Sequence, residues 1–201
     1  NYFFYELGSL MDEDMPVETA KALGLGVPTG IELVEKTGAL NTKEQKKKVY
    51  GSGVNANFSA GDRVLGAIGQ GEYRFTPLQL CVYASTLANK GTRMKATFLS
   101  RVVSSDYRTL IYENKPAVAG QMDLEWTTVD AYYDGMRKVI TKPGGTADKY
   151  FGGIDDGLED DEDGVWPLKG EVIVYAKTGT AEHASGGSDH GAFICFAPAE
   201  D

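Results

Sequence analysis

Glu171-Val172-Ile173-Val174-Tyr175-Ala176-Lys177-Thr178-Gly179-Thr180 is the stretch on which the reading of this chain turns. Val172, Val174 and Ala176 recur at a period of two, which predicts a strand over residues 171–176. Lys177-Thr178-Gly179-Thr180 sits at the end of that strand. Gly179 has no side chain, so a ligand can lie close against the strand edge. Thr178 and Thr180 offer hydroxyl donors, and Lys177 adds a positive charge. Together they suit a carboxylate ligand laid along the strand. An ordinary edge strand with unremarked threonines fits the same four residues, so taken alone they leave both readings open. Downstream, Phe193-Ile194-Cys195-Phe196 is the expected antiparallel partner, across a turn rich in Gly and Ser.

Upstream of the strand, residues 155–163 hold seven acids. A calcium loop needs acids at alternating positions and a glutamate at the twelfth. With Gly164 at the sixth position, the twelfth is Gly170, so the pattern fails and a solvated loop is expected. Gly144-Gly145-Thr146-Ala147 reads as a tight turn feeding a short helix. Residues 127–140 read as an amphipathic helix with Val129, Tyr132, Met136 and Ile140 inward.

Further back lies Ile68-Gly69-Gln70-Gly71, then Thr76-Pro77-Leu78-Gln79-Leu80. Thr76 is a helix N-cap, Pro77 suits the first helical position, and Gln79 completes a capping box. The helix is expected over residues 77–89, with Gly91 near its C-cap and Leu80, Ala84, Leu87 and Ala88 buried. Residues 98–103 and 109–112 read as strands around a turn near Ser105-Asp106. Residues 2–24 predict two short helices punctuated by Pro16 and Gly24-Leu25-Gly26. Gly30-Ile31-Glu32-Leu33 reads as a short extended segment. The four lysines between Lys43 and Lys48 read as a solvated loop or helix face.

The whole chain has 201 residues, 42% of them hydrophobic and 24% charged, an ordinary globular composition. Twenty basic side chains face 29 acidic ones, for a net charge of -9. An acidic chain repels phosphate backbones, so nucleic acid is not an expected partner. No apolar run approaches the ~20 residues that span a bilayer. Two cysteines, Cys81 and Cys195, exclude a disulfide framework or a cysteine zinc site. Each sits in an apolar run, so both are expected as buried free thiols. His183, Ser185, Ser188, Asp189 and His190 crowd one Gly-rich turn. A hydrolase triad needs convergence from separate elements, and a two-histidine metal site is equally thin, so solvated turn residues are expected. The bulky apolar start at Asn1 and the strand-like finish predict a piece cut from a longer protein.

These segments together resemble a known family. Ala176-Lys177-Thr178-Gly179-Thr180-Ala181-Glu182, with Ala192-Phe193 to Ala197-Pro198, is similar to the third active-site motif of penicillin-binding proteins. Ile68 to Gly71 and Thr76 to Leu80 resemble the stretch before the family's long helix near the active site. Gly135-Met136 and Gly144 to Ala147 resemble the helix and turn ahead of the third motif. Asn1-Tyr2-Phe3-Phe4-Tyr5-Glu6-Leu7-Gly8 resembles the segment opening on the asparagine of the second motif, Ser-x-Asn. The order is the family's own, and the branch resembled is the class B, monofunctional transpeptidases of cell elongation or division.

The resemblance implies an α+β fold, part of the penicillin-binding transpeptidase or serine β-lactamase-like architecture: an antiparallel sheet flanked by helices. Residues 1–201 would be the C-terminal portion of one transpeptidase domain. Asn1 would contact the substrate amide and the catalytic lysine. Lys177 would support the electrostatics of the serine site. Thr178 and Thr180, beside Gly179, would hold the carboxylate of a stem peptide or a β-lactam. The Thr180 backbone N–H would form half of an oxyanion hole. Peptidoglycan stem peptides, β-lactams, the missing N-terminal half of the domain and cell-wall synthesis proteins are the implied partners. No cofactor and no metal are implied. Anchoring to the plasma membrane, facing outward, is implied as well.

One departure matters. The family's nucleophile lies in Ser-x-x-Lys, and no serine of this chain has a lysine three residues on. The near matches, Thr92-Arg93-Met94-Lys95 and Thr146-Ala147-Asp148-Lys149, use threonine and fall after the second motif. Without nucleophile and base there is no acyl-enzyme route, so the 201 residues alone are expected to be inactive. The rival readings are a β-lactam-sensing or serine β-lactamase-like domain, and a non-catalytic binding or scaffolding module. A half-domain would also expose apolar surface and associate.

Overall fold

Residues 1–151, 173–181 and 187–197 are described by a computed structural model, and the chain falls into two units, Asn1–Met122 and Asp123–Asp201. In the first unit the two short helices expected at the start are present as α1 (Tyr2–Leu10) and α2 (Met15–Ala22), the latter with proline in its first turn. The lysine-rich stretch forms α3 (Lys43–Tyr50), capped by Thr42, whose side chain accepts from the Gln45 N–H. Its lysines meet carboxylates: Lys43 pairs with Glu13, and Lys46 with Asp62 at 2.5 Å. A 3₁₀ turn at Val54–Ala56 leads to α4 (Ala60–Gly66), which opens on a Ser59/Asp62 capping box. Helix α1 lies against α4 where Gly8 is buried. A Cβ at Gly8 would come within 2.4 Å of the Ala67 Cβ, so glycine permits this approach.

The strongest local expectation concerned α5 (Pro77–Ala88), and both halves of its Thr76/Gln79 capping box form. The buried face differs from the expected one. Ala84 and Leu87 are buried, with Gln79, Val82 and Thr86, while Leu80 and Ala88 are half-buried. Gln79 is 0% exposed. Its Oε1 accepts from the Thr76 N–H, and its Nε2 donates to the carbonyls of Val27 and Thr37. Every polar atom of this buried amide is therefore matched, as a buried amide requires. Cys81 is exposed, not buried. It lies two positions, or about 200° around the helix, from Gln79, on the face turned from the core.

The segment at Gly30 to Leu33 is not a strand. It bends at Glu32 and Leu33. The Glu35 carboxylate accepts from the Thr29 N–H at 3.0 Å, the Thr29 hydroxyl at 2.8 Å and the Gly30 N–H at 3.2 Å. Those bonds use locally the donors that a strand would offer to a neighbour. They also hold the Glu35 carboxyl below its usual range, the Thr29 N–H contributing most. Four short strands complete the unit. β1 (Thr92–Met94) pairs antiparallel with β4 (Val118–Gln121), and β2 (Arg101–Val103) with β3 (Leu110–Glu113). The β2–β3 hairpin was expected, and it is shorter than the sequence pattern suggests.

The second unit contains α6 (Trp126–Thr141), α7 (Asp148–Phe151), β5 (Tyr175–Ala181) and β6 (His190–Phe196). On α6, Val129, Met136 and Ile140 are buried as expected, and Tyr132 is half-buried. Ile140, Ala147, Val174 and Ala176 form the core of the unit, flanked by Val139 and Phe151. Strand β5 begins at Tyr175, so the Lys-Thr-Gly-Thr quartet lies inside the strand rather than at its end. Cys195 is exposed as well: it stands directly opposite buried Ala176, but the described core takes in β5 and no residue of β6. The acidic run 155–163, the proposed strand start at Glu171 and Val172, His183, Ser185 and Pro198 lie outside the described residues.

Candidate active site

Strands β5 and β6 pair antiparallel in unbroken register, from Tyr175 opposite Phe196 to Ala181 opposite His190. Helix α6 packs on β5. At the buried end, Tyr175 and Phe196 stack at 5.2 Å, and Tyr133 of α6 approaches Tyr175 at 4.7 Å. Aromatic pairs at these spacings add to the area they bury. Burial, with Tyr175 beside it, pushes the Tyr133 phenol above its ordinary value. Phe151 of α7 stacks on Phe193 at 5.5 Å. The strand is thus fixed at one end by apolar and aromatic packing and emerges into solvent along Lys177, Gly179 and Thr180.

Period two places Thr178 and Thr180 on one face of β5, with Lys177 and Gly179 on the other. Thr178 is half-buried and Thr180 exposed. The Lys177 ammonium donates to the Thr178 carbonyl oxygen. A Cβ at Gly179 would meet the Ala192 Cβ at 3.7 Å, an ordinary contact, so among the described residues packing does not demand glycine there. β6 covers one edge of β5, and no described strand covers the other. Two hydroxyls spaced one strand repeat apart, an ammonium and an edge that no described strand covers together suit an extended ligand ending in a carboxylate.

Lys177, Thr178, Gly179 and Thr180 therefore share one strand of the second unit. Asn1 belongs to the first unit, as the exposed N-cap of α1; its carbonyl accepts from the Tyr5 N–H, and its side chain makes no capping bond. Ser188 and Asp189 precede β6 and His190 opens it, and all three are exposed. Among the described residues no group of three or more His, Cys, Asp or Glu is placed to hold a metal ion, and no helix is long and apolar enough to cross a membrane.

One residue of the site went unnoticed in the sequence. The Thr146 hydroxyl lies 2.7 Å from the Thr178 hydroxyl. In the sequence Thr146 reads as part of the Gly-Gly turn, of the segment that resembles the family's turn ahead of the third motif, and of a Thr-x-x-Lys near match, with no role in the site. The available signal was the direct run from Gly144-Gly145 through Thr146 to an alanine, which brings a small apolar residue to the strand. The other near match, Thr92 to Lys95, falls on β1 of the first unit, where the Thr92 hydroxyl bonds Gln121 Oε1.

The family model of the penicillin binding protein transpeptidase domain matches residues 1–201. The peptidoglycan D,D-transpeptidase MrdA of Haemophilus influenzae is 34% identical over 158 residues, 74% of this chain and 22% of that protein. The chain therefore spans about a fifth of the length of this relative. Among solved structures, penicillin-binding protein PBP2 from Helicobacter pylori superposes with a TM-score of 0.71 at 24% identity, over 98% of this chain and 31% of that one. The same protein in complex with MreC matches at a TM-score of 0.68 and 22% identity, over 97% and 31% of the two chains. The mixed helix-and-sheet architecture is accordingly that of the penicillin-binding, β-lactamase-like fold. With the whole of its length matched, this chain belongs to the penicillin-binding protein transpeptidase domain family, in its class B branch.

Proposed function

We propose that this chain is the C-terminal portion of the single transpeptidase domain of a peptidoglycan D,D-transpeptidase, which cross-links stem peptides through a serine acyl-enzyme and is acylated by β-lactams. The carrying observation is the Lys177 to Thr180 stretch of β5, pinned at its buried end by α6 and open to solvent where its hydroxyls are spaced for a carboxylate. In this reading Thr178 and Thr180 bind the ligand carboxylate beside Gly179, which leaves room for the ligand backbone. Lys177 supplies positive potential, and the Thr180 N–H stabilises the oxyanion of the tetrahedral intermediate. Asn1 orients the substrate amide. The attacking hydroxyl and its lysine come from the parent protein outside these 201 residues, because no Ser-x-x-Lys occurs within them. The parent acts at the outer face of the plasma membrane, alongside other cell-wall synthesis proteins. The MreC complex of a structural relative supports that kind of partner.

Intact-mass spectrometry after incubation with benzylpenicillin tests this. A stable adduct is expected on a protein extended upstream of Asn1, and none on the 201-residue chain. An adduct that hydrolyses quickly would favour the β-lactamase-like reading. No adduct on the extended protein would leave a binding or scaffolding module. An adduct on the short chain would place the nucleophile within it and overturn the assignment above.

A further inference from the structure

We propose that Thr146 is a positioning residue for Thr178: its hydroxyl donates to Thr178 Oγ1 and turns the Thr178 hydroxyl proton toward the ligand carboxylate. This rests on the reading of Thr178 as a carboxylate ligand. The two oxygens are 2.7 Å apart, within the range of a strong O–H···O bond. Each hydroxyl has one proton to give. If Thr178 gives its proton to a carboxylate, the bond between the threonines must run from Thr146 to Thr178. A carboxylate only accepts, so it selects that direction. The donated bond in turn polarises the Thr178 hydroxyl and strengthens its own donation.

The structure holds Thr146 firmly enough for this role. Gly144 has a φ of +84°, a backbone region that glycine enters without strain. A Cβ at Gly145 would lie 2.5 Å, 2.6 Å and 2.9 Å from the carbonyl oxygens of Val139, Lys138 and Lys142, so the turn is folded tightly onto the end of α6. The Gly144 N–H donates to Asp148 Oδ2, and the Ala147 N–H to the Val139 carbonyl. Ala147 is buried in the same core as Ala176, two residues before Thr178. Thr146 is thus fixed on both sides, and the α6–turn–β5 core fixes its height along the strand.

The test uses the full-length protein that contains this chain, with acylation rate constants measured for benzylpenicillin and for its methyl ester. Thr146→Val removes the hydroxyl and keeps the shape. It is expected to slow acylation by the free acid about fivefold, the size of one lost hydroxyl bond, and to leave the ester rate near wild type. Thr146→Ser is expected to restore the acid rate. In a Thr178→Val background, Thr146→Val should have no further effect, since it acts through Thr178. Equal slowing of acid and ester, or an unchanged acid rate, would overturn the proposal while the transpeptidase reading stands. No acylation of the wild-type protein would overturn that reading, and this proposal with it. If Thr146→Val does not fold, the acid-to-ester ratio of Thr146→Ala against Thr146→Ser decides the same question.

Discussion

Two hairpins of this chain are held by different physics. β5–β6 runs seven residues in unbroken register, with Ala176 0% exposed beneath it and Ile140 of α6 1% exposed. β2–β3 pairs three positions, its register slips between Val102 and Val103, and Leu110, Ile111 and Tyr112 all face solvent. At its base β2–β3 depends on polar contacts. The Glu32 carboxylate accepts from the Thr97 hydroxyl and, at 2.9 Å, from the Phe98 N–H. Asn114 Nδ2 donates to Thr97 Oγ1 at 2.8 Å. The difference teaches where precision is invested. The hairpin bearing the Lys-Thr-Gly-Thr quartet rests on an apolar core that fixes side-chain height, whereas the other rests on a few solvent-facing hydrogen bonds.

The largest way to break the contrast is Ile140→Ala. Removing a fully buried isoleucine side chain is expected to cost about 2–5 kcal/mol. Hydrogen exchange should show the amides of β5 and β6 losing protection, while those of β2 and β3 stay as they were. Equal loss in both hairpins would mean that they share a core.

Acid sharpens the contrast from the other side. The Thr97 hydroxyl, then the Phe98 N–H, hold the Glu32 carboxyl down at about 2 from its ordinary 4.5. A depressed carboxyl contributes its stability fully above its unfolded value, and the contribution is lost as pH falls through the folded one. The Phe98 amide resonance should therefore titrate with a midpoint near pH 2. A midpoint at the ordinary value would show that the Glu32 contacts do not persist in solution. The smallest effect is expected from Ile111→Ser. At 65% exposed, this side chain loses little, and the change in denaturant stability should stay within about 0.5 kcal/mol. A larger loss would reveal a surface that covers β3.

Local chemistry was legible wherever one element decided it. The Thr76/Gln79 capping box, the proline at the start of α5, the inward face of α6 and the antiparallel partner of the quartet strand all follow from residues a turn or a repeat apart. Gln79 marks the limit. Its cap was readable, but its bonds to Val27 and Thr37 join residues more than 40 positions away. Strands β1 and β4 went unrecognised because three or four residues carry no usable period. Cys81 is exposed because an apolar run indicates a buried element without saying which side of it faces the core, and Cys195 because the described core covers β5 without extending to its β6 partner.

By itself the sequence determined which reactive side chains are present and in what order. A lysine, two hydroxyls and a glycine set in alternating apolar residues can be written only by the chain, and so can the absence of Ser-x-x-Lys. The tertiary structure alone decided that the quartet lies within a strand and that Thr146 meets Thr178 across 32 positions. The reason is geometric. A motif is a property of neighbours along the chain, whereas a hydroxyl pair at 2.7 Å exists only once α6, the Gly-Gly turn and β5 have closed on one core.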